Sequence, residues 1–381
     1  MHPDFSIGVL NRMSAVRSFV RREPVLFIAA LAAVITCFFV PPDSGYLSYL
    51  DLRTLSLLYC LMTVVNGLRQ AGLFSHLAHS LCERAANLRT IAVLLVCLCF
   101  FSSMLITNDV ALLTFVPFAV VVMGMAHHQQ ELIHVVVLQT VAANLGSMLT
   151  PVGNPQNLYL YSFYDMGFRE FLRITSPVWL LSLILLLLLC LLFRKDHLEV
   201  FLGESPEMES RSLLLHAVLF IVCLLVVLRV LPWYLMLLIV VGVLLLFDPK
   251  LLLEADFMLL LTFVAFFIFS GNLARIENVS VFIRRLMDGQ EYLTSLLASQ
   301  VISNVPAALL LSGFTTQSHA LLLGVNIGGL GTPIASLASL ISLKLYSHSE
   351  HASAGRFLSE FLIVNIALLL ILSLIALHMI S

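Results

Sequence analysis

The sequence predicts an all-α polytopic membrane protein made of two inverted repeats, each with a re-entrant hairpin and a broken transmembrane helix. Three observations support this prediction: the composition, the number of long apolar segments, and a set of motifs that recurs in both halves. Of the 381 residues, 60% are hydrophobic and 11% are charged, whereas soluble proteins have about 25% charged residues. Because no soluble core could bury so much apolar surface, lipid must surround most of the chain.

Nine apolar segments are candidates for crossing the membrane, which takes about 20 residues in a helix. They are residues 24–42, 51–68, 131–163, 170–193, 212–231, 233–248, 254–271, 318–346 and 356–380. Two further apolar segments, 90–125 and 293–314, are interrupted near the middle by polar residues. We expect each of these two to form a re-entrant hairpin, which adds no crossing.

The distribution of basic residues predicts the orientation. With the N-terminus in the cytoplasm, most of the 20 Lys and Arg residues fall on the cytoplasmic side, as the positive-inside rule requires. The sequence thus predicts a multi-pass protein of the bacterial cytoplasmic (inner) membrane. Its predicted parts are a cytoplasmic segment 1–23, a first repeat 24–193, a cytoplasmic linker 194–211 and a second repeat 212–381. No clustered basic face is present, so a nucleic-acid partner is not expected.

Four motifs occur in the same order in both halves. In the first half they are Asn66-Gly67-Leu68, Thr107-Asn108-Asp109, Asn144-Leu145-Gly146 and Thr150-Pro151. In the second half they are Gly271-Asn272-Leu273, Ser303-Asn304-Val305, Asn326-Ile327-Gly328 and Thr332-Pro333. An odd number of crossings separates the two copies, so the halves should be inverted. Inverted repeats with interrupted helices are typical of secondary transporters.

Two segments are too rich in Gly and Pro to be continuous helices. Residues 144–157 read NLGSMLTPVGNPQN, and residues 326–336 read NIGGLGTPIAS. Non-helical backbone persists at membrane depth only where protein or a water-filled cavity satisfies it. Since Thr is a good helix cap and Pro suits the first helical position, we expect the second half-helices to begin at Thr150 and Thr332.

Such breaks can bind ions of either sign. The N-terminus of a half-helix presents free N–H groups and a partial positive charge to an anion, and the preceding free carbonyls suit Na⁺. We therefore predict a site where the two hairpin tips and the two breaks meet. The predicted substrate-binding residues are Thr107, Asn108, Asp109, Gly153, Asn154, Pro155, Ser303, Asn304, Thr332 and Pro333. The predicted Na⁺ ligands are Asn108, Asn144, Thr150, Asn304, Asn326 and Gly331. No cofactor is expected beyond Na⁺ or H⁺ as the coupling ion.

Among these residues Asp109 is the strongest candidate for a functional role, because an ionisable group is costly in a membrane unless it is functional or paired. At the hairpin tip it could bind Na⁺ or carry a proton. The alternative is a solvated tip or a helix-capping carboxylate. We expect Tyr159 and Tyr161 to be anchors at the membrane interface.

The motifs resemble those of the ion transporter superfamily, which groups citrate-transporter-like permeases, divalent-anion:sodium symporters, arsenite permeases and one class of sodium–proton antiporters. The matching segments are ITNDVALLTFVPF (106–118), NLGSMLTPVGNPQNLYLY (144–161), SNVPAALLLSGF (303–314) and NIGGLGTPIASLASLI (326–341). The resemblance implies that the tips and broken helices form the substrate and Na⁺ sites. It also implies an elevator movement of a transport part against a scaffold, often in a homodimer.

One departure bears on the substrate. The sodium–dicarboxylate symporters carry Ser-Asn-Thr at both tips, whereas this chain has Asp109 and Val305 at the third positions. A carboxylate at the first tip repels a multiply charged anion unless it is protonated or masked by a cation. A similar Asn-Asp tip occurs in arsenite-permease-like members.

These considerations lead us to expect a secondary active transporter of a small anion, a carboxylate or an inorganic oxyanion, coupled to Na⁺ or H⁺ by alternating access. The alternatives are a Na⁺/H⁺ antiporter with Asp109 as the exchanging carboxylate, and a passive channel. An enzyme is not expected, since the sequence has no HExxH, GxSxG or Walker-type motif.

Overall fold

The computed structural model describes residues 23–83, 85, 87–125, 130–196, 207–349 and 352–380. The described residues form helices joined by turns. In the first half these are α1 (Pro24–Cys37), α2 (Tyr46–Tyr49), α3 (Leu52–Gln70), α4 (Leu73–Cys82), α5 (Leu88–Ile106), α6 (Asn108–Met125), α7 (Leu132–Ser147), α8 (Pro155–Phe163) and α9 (Phe168–Cys190). In the second half they are α10 (Ser210–Val227), α11 (Trp233–Phe247), α12 (Phe257–Arg275), α13 (Glu277–Met287), α14 (Glu291–Ile302), α15 (Asn304–Leu311), α16 (Ser318–Ile327), α17 (Leu337–Ser347) and α18 (Ala354–Ile380).

Apolar helices with polar N-caps account for the longer elements. The side chains of Asp51, Asn87 and Asp256 each accept a hydrogen bond from a backbone N–H three residues on, at 2.9–3.0 Å. Such caps satisfy donors that a helix start leaves free. Each cap thus fixes where the apolar helix begins.

Six described helices are long and apolar enough to cross a membrane, and they include both limbs of the first hairpin. The bent pair α3 and α4, which meet at 50° beside Gly72, raises this number to seven. The remaining predicted crossings consist of shorter helices, among them α1, α11 and the halves of the two broken helices. The protein is therefore a multi-pass membrane protein, and nine crossings stay a prediction.

The helices pack into two bundles. The lateral bundle contains α1, α3, α10, α11 and α12, which pack chiefly on one another. The central bundle contains α5 to α9 and α14 to α18. The short helices α4 and α13 lie between the bundles and contact both. At the centre lies α7, in which every residue from Leu132 to Ser147 except His134 is buried, whereas α18 exposes Ile363 and Leu374.

The first hairpin, α5 and α6, starts and finishes at the same end of the molecule. The Arg89 Nε donates to the Phe193 carbonyl oxygen at 2.8 Å, and the Leu88 N–H donates to the Asp196 carbonyl oxygen at 3.0 Å. Beyond the hairpin, the ring of His134 lies 6.2 Å from that of Phe193. We call this the linker end, because it holds the described residues on either side of the linker.

The second hairpin, α14 and α15, opens at the opposite end. The Thr315 hydroxyl donates to the Glu291 carboxylate at 3.4 Å, so the two limbs finish side by side. Tyr164, which follows α8, donates its hydroxyl to the Thr315 carbonyl oxygen at 3.1 Å. Since α7 and α8 run from the linker end to Tyr164, the two hairpins enter the bundle from opposite ends. Inversion of the two repeats remains a prediction, and this arrangement supports it.

Both breaks occur where the sequence predicts them, but the half-helices begin later than predicted. Thr150 and Thr332 are in extended conformation, and each is followed by a short 3₁₀ turn, Pro151–Gly153 or Pro333–Ala335. The half-helices start at Pro155 and Leu337, because Asn154 and Ser336 take the N-cap positions. In the first break the Asn154 side chain caps the Asn157 N–H at 2.9 Å.

Of three further sequence predictions, two concern residues outside the described ranges and one is wrong. Segment 1–23 lies outside the described residues except for Glu23, as do residues 197–206 of the linker. Tyr159 and Tyr161 were expected at the membrane interface, and that prediction is wrong: they are 3% and 2% exposed. The Tyr159 hydroxyl bonds to Ser312 Oγ at 2.7 Å, and the Tyr161 hydroxyl donates to the Val227 carbonyl oxygen at 2.8 Å. Their polar tips are thus satisfied inside the protein, where α8 meets the lateral bundle.

Candidate functional site

The two hairpin tips share one backbone geometry. Thr107 has φ 68° and ψ 150°, and Ser303 has φ 75° and ψ 154°. L-residues with a side chain rarely adopt such a conformation, and it persists only where the surroundings impose it. In both tips the following Asn side chain accepts the N–H of the next residue, Asp109 at 3.0 Å and Val305 at 2.9 Å. The two tips are therefore structural counterparts despite their different third residues.

Each tip contacts the break of its own half. The Asn108 Nδ2 donates to Asn144 Oδ1 at 3.1 Å, at the end of α7. In the second half, the Ser303 hydroxyl donates to the Ala335 carbonyl oxygen at 3.4 Å. The Asn304 amide also lies so close to Gly329 that a Cβ there would approach its Nδ2 to 2.8 Å. The two halves also share a bond from a break to its hairpin. The Thr150 hydroxyl donates to the Met104 carbonyl oxygen, and the Thr332 hydroxyl donates to the Gln300 carbonyl oxygen.

The two breaks meet each other through buried polar side chains. Asn326 donates to Asn157 Oδ1 at 2.7 Å and accepts from Asn154 Nδ2 at 3.3 Å. Ser336 donates to Asn144 Oδ1 at 2.9 Å. These side chains are at most 4% exposed. We call this group, with Asn108 and Ser147, the asparagine cluster: Asn108, Asn144, Ser147, Asn154, Asn157, Asn326 and Ser336.

The asparagine cluster joins the first tip and both breaks into one network, and the second tip bonds to Ala335, next to Ser336. Asn108 of the first tip reaches Asn144, which accepts from Ser336 of the second break. Asn154 links the cluster internally, since its Nδ2 also donates to Ser147 Oγ at 3.1 Å. These bonds connect side chains of the two halves across the centre of the protein.

A second network, centred on Gln300, stabilises the second break. The Gln300 amide donates to the carbonyl oxygens of Gly328 at 2.7 Å and Leu330 at 2.9 Å. Its Oε1 accepts from the Thr332 N–H at 2.9 Å. Backbone left free by the unwound segment is thereby satisfied by a side chain of the hairpin, as a buried break requires.

Three helix N-termini begin at or directly after residues of the asparagine cluster, and a fourth, that of α15, lies at the second tip. Helices α6, α8, α15 and α17 begin at Asn108, Pro155, Asn304 and Leu337. Each N-terminus carries a partial positive charge and N–H groups without an intrahelical partner. The cluster itself contains no Lys or Arg side chain. Electrostatic attraction for an anion here therefore comes from helix dipoles and amide groups.

Two polar atoms at the site are buried and form no hydrogen bond with any described residue. They are the Asn144 Nδ2, a donor, and the Asp109 Oδ1, an acceptor. Buried polar groups are almost always hydrogen-bonded in proteins. These two atoms are thus the places at which the site offers a donor and an acceptor to a bound species. No set of three or more His, Cys, Asp or Glu side chains fit for a metal occurs in the described ranges.

The predicted residues fall into two groups. Asn108, Asn144, Asn154 and Asn326 lie in the asparagine cluster. The other predicted residues lie at the tips and breaks, outside the asparagine cluster: Thr107, Asp109, Thr150, Gly153, Pro155, Ser303, Asn304, Gly331, Thr332 and Pro333. Within this group, Pro155 starts α8, and Gly153 packs so closely on Ser147 that a side chain could not fit. Binding of substrate or Na⁺ by any of these residues stays a prediction.

Sequence reasoning missed four residues of the two networks: Ser147, Asn157, Gln300 and Ser336. Three of them lie inside or beside the Gly- and Pro-rich motifs, so their position was a usable signal. Gln300 is different, because it lies three residues before the second tip on an apolar helix. The signal that could have identified Gln300 is a neutral amide side chain on the otherwise apolar helix of the hairpin.

Comparison with known proteins gives a consistent picture. A family model described as "Citrate transporter" matches residues 13–319. The "Uncharacterized transporter MJ0456" of Methanocaldococcus jannaschii is 32% identical over 307 residues, covering 80% of this chain and 84% of the relative. Inner membrane protein YbiR of Escherichia coli is 31% identical over 314 residues, covering 81% and 84%. The silicon efflux transporter LSI3 of Oryza sativa subsp. japonica is 32% identical over 171 residues, covering 44% and 35%.

Proposed function

This chain belongs to the citrate transporter family, and from that premise we propose that it is a secondary active transporter of a small anion. The proposed substrate is a carboxylate or an inorganic oxyanion, moved by alternating access and coupled to Na⁺ or H⁺. The observation that carries the proposal is the asparagine cluster, where the first tip and both breaks meet inside the protein and the second tip bonds to Ala335 beside it. Such a meeting point is where transporters with interrupted helices bind their cargo.

The chemistry of the cluster favours an anion of low charge. Four helix N-termini supply partial positive charge, and Asn144 Nδ2 supplies an unpaired amide donor. Asp109 adds a negative charge at the edge of the same site, unless it holds a proton or a cation. A bound Na⁺ or proton would remove this repulsion. Coupling to a cation therefore follows from the same residues that would bind the anion.

The two-bundle architecture supports an elevator-type movement. Both tips and both breaks belong to the central bundle, so the whole site can move as a unit relative to the lateral bundle. The bundles meet through apolar and aromatic contacts, for example Tyr159 against Phe267 with ring centroids 5.6 Å apart. Helices α4 and α13 connect the two and would act as hinges. We propose this movement as the basis of alternating access.

The names of relatives broaden the substrate class. The rice relative is named for silicon efflux, which places inorganic oxyacids and their anions beside carboxylates among the substrates to be tested. The Escherichia coli relative is named as an inner membrane protein. We propose the same bacterial inner-membrane location for this chain, with its N-terminus in the cytoplasm.

The test is counterflow in proteoliposomes preloaded with candidate carboxylates or oxyanions. We expect saturable uptake that responds to an imposed Na⁺ or pH gradient. Asn326→Ala should reduce uptake at least tenfold, because it removes the hydrogen bonds that join Asn326 to Asn154 and Asn157. The matched control is Asn272→Ala, which removes a buried asparagine of the lateral bundle that donates to Thr36 and Tyr46. Uptake without saturation or counterflow would instead indicate a passive channel.

A second candidate function is Na⁺/H⁺ antiport with Asp109 as the exchanging carboxylate. The observation that favours it is the buried, unpaired Asp109 Oδ1 at the first tip. Asp109→Asn separates the two functions, since it removes the charge and keeps the shape. If this variant retains anion uptake and loses Na⁺-driven pH changes, the antiporter is the better assignment. Loss of both activities together favours a cation-coupled anion transporter.

A further inference from the structure

A cleft at the linker end has no part in the proposed transport site. It has a volume of about 680 Å³ and lies between the first turns of α7, the last turns of α9 and the first turns of α18. This volume falls within the range of roughly 300–1,000 Å³ that ligand sites have. About ten residues of α7 separate its charged rim from Asn144, so the cleft is distinct from the asparagine cluster.

The rim of the cleft carries charges of both signs. Arg194 and Arg356 contribute two guanidinium groups, and Glu131 and Glu360 contribute two carboxylates. His134 forms an ion pair with Glu360. Arg356 and Glu131 are near enough to act electrostatically on His134. The rim therefore offers cationic and anionic groups within one opening, without a large excess of either sign.

Below the rim the cleft becomes apolar on all three helices. Leu138 lies one turn below His134, Leu189 one turn below Phe193, and Ile363 about one turn below Glu360. One helical turn corresponds to about 5.4 Å. Leu192 and Ile363 are 79% and 70% exposed, so the apolar part opens towards the lipid. Such a change from charged to apolar side chains over about one turn matches the chemistry of a lipid, whose headgroup is charged and whose acyl chains are apolar.

We propose that this cleft is a binding site for a single phospholipid with a zwitterionic headgroup and a primary ammonium, of the phosphatidylethanolamine type. The phosphate would bind Arg194 and Arg356, because guanidinium groups bind phosphate oxygens in a bidentate manner. The ammonium would donate to the carboxylates of Glu131 and Glu360. One acyl chain would lie along Leu192 and Ile363.

The charge pattern distinguishes this headgroup from the other common ones. Phosphatidylglycerol has no cationic group to meet the carboxylates, which would then lie beside an anion. Phosphatidylcholine carries a quaternary ammonium that cannot donate a hydrogen bond. A primary ammonium next to a phosphate is the arrangement that matches both signs on the rim.

Native mass spectrometry of the purified protein tests the proposal, after exchange with an equimolar mixture of the three lipids. We expect phosphatidylethanolamine to be retained at least threefold over the other two. Arg356→Gln should weaken the retention of phosphatidylethanolamine roughly tenfold, because it removes one charge-assisted hydrogen bond to the phosphate. Arg211→Gln, an exposed arginine at the linker end of the lateral bundle, is the matched control and should behave like the wild type.

A second variant guards against misfolding. Ile363→Gln changes a side chain that is 70% exposed, so folding should be preserved while contact with the acyl chain is weakened. Retention lowered in both Arg356→Gln and Ile363→Gln, with unchanged thermal unfolding of the lipid-free proteins, supports the site. Equal retention of the three lipids by the wild type overturns it, as does wild-type retention in both variants.

Discussion

The two breaks have the same architecture and are held by different side chains. At the second break, one side chain of the hairpin, Gln300, makes three hydrogen bonds of 2.7–2.9 Å with the unwound backbone. The first hairpin has Met104 at the matching position, three residues before the tip. There the unwound backbone is met by Asn157 from the following half-helix, at 3.3–3.4 Å from three carbonyl oxygens.

This difference indicates unequal coupling within the two halves. Gln300 binds the second break to its hairpin, so tip and break should move together. Asn157 binds the first break to its own downstream half-helix, through distances of 3.3–3.4 Å to three carbonyl oxygens, which are longer than the bonds of Gln300 to the second break. The first hairpin and break are joined by the Asn108–Asn144 bond, by the bond from the Thr150 hydroxyl to the Met104 carbonyl oxygen, and by close packing of backbone. We expect the first half to be the one that rearranges more readily on binding.

The largest effect should come from the packing of the first hairpin on α7. A Cβ at Gly146 would overlap the Phe100 carbonyl oxygen, which is backbone and cannot move aside. We expect Gly146→Ala to lower the free energy of unfolding by about 3 kcal/mol, as overpacking does at a tight site. Thermal unfolding of the detergent-solubilised protein measures the change.

Two other glycines allow the cost of an added Cβ to be compared between sites. Gly328 occupies the equivalent position in the second half, where an added Cβ would lie 2.6 Å from the Gly324 carbonyl oxygen and 2.9 Å from the Ser299 side chain. Gly328→Ala should cost less, about 1–2 kcal/mol, because this backbone contact is longer than the 2.1 Å contact at Gly146. Gly242 on α11 has no atom within 4 Å of such a Cβ, so Gly242→Ala should leave stability unchanged or slightly higher. Equal costs at Gly146 and Gly242 would contradict the packing described here.

A side-chain exchange between the halves gives the next largest effect. Gln300→Met installs in the second hairpin the residue that the first hairpin carries, and it removes partners from three buried backbone groups. We expect a loss of about 2 kcal/mol in the free energy of unfolding. Ser339 stands in the second half where Asn157 stands in the first. Adding Ser339→Asn to Gln300→Met should therefore recover about half of the loss, measured again by thermal unfolding.

If the double variant recovers none of the lost free energy of unfolding, the side chains that hold the two breaks are not interchangeable between the halves. Ser339→Asn alone serves as the control. In the otherwise native chain it adds an amide where Gln300 already satisfies the backbone, so it should give no gain. A gain in this single variant equal to that in the double variant would mean that the new amide acts independently of Gln300.

Most of the architecture was predictable because it depends on signals local to the sequence. Gly and Pro density located both breaks, since those residues disrupt helices wherever they lie. Polar residues within apolar runs located both tips at Thr107 and Ser303. The positive φ values of these residues were not predictable, because neither is Gly and the surroundings impose the conformation.

What escaped prediction depends on contacts between distant segments. The half-helices begin at Pro155 and Leu337, directly after Asn154 and Ser336. The Asn154 side chain caps its helix and that of Ser336 does not, but both side chains bond across the two halves. Tyr159 and Tyr161 could not be distinguished from interface anchors, because their partners Ser312 and Val227 lie more than 60 residues away. The role of Gln300 depends likewise on a segment 28 to 32 residues further on.

The smallest effect is expected at Asn157, and it tests the looser hold on the first break. Asn157→Ser installs the type of residue that the second half carries at Ser339. The hydrogen bonds that Asn157 donates to the carbonyl oxygens of Ser147, Met148 and Thr150 are long, and an admitted water can replace them in the variant. The variant also removes the 2.7 Å bond that Asn157 accepts from Asn326, but the Asn326 amide keeps its bond to the Leu322 carbonyl oxygen at 2.8 Å. We therefore expect a loss of about 1 kcal/mol in the free energy of unfolding, half of that for Gln300→Met, in the same thermal-unfolding assay. Hydrogen exchange should rise at residues 147–153 and stay unchanged at residues 328–332. Should Asn157→Ser instead cost more than Gln300→Met, the first break would be the more firmly held of the two, and the rearrangement on binding would have to be assigned to the second half.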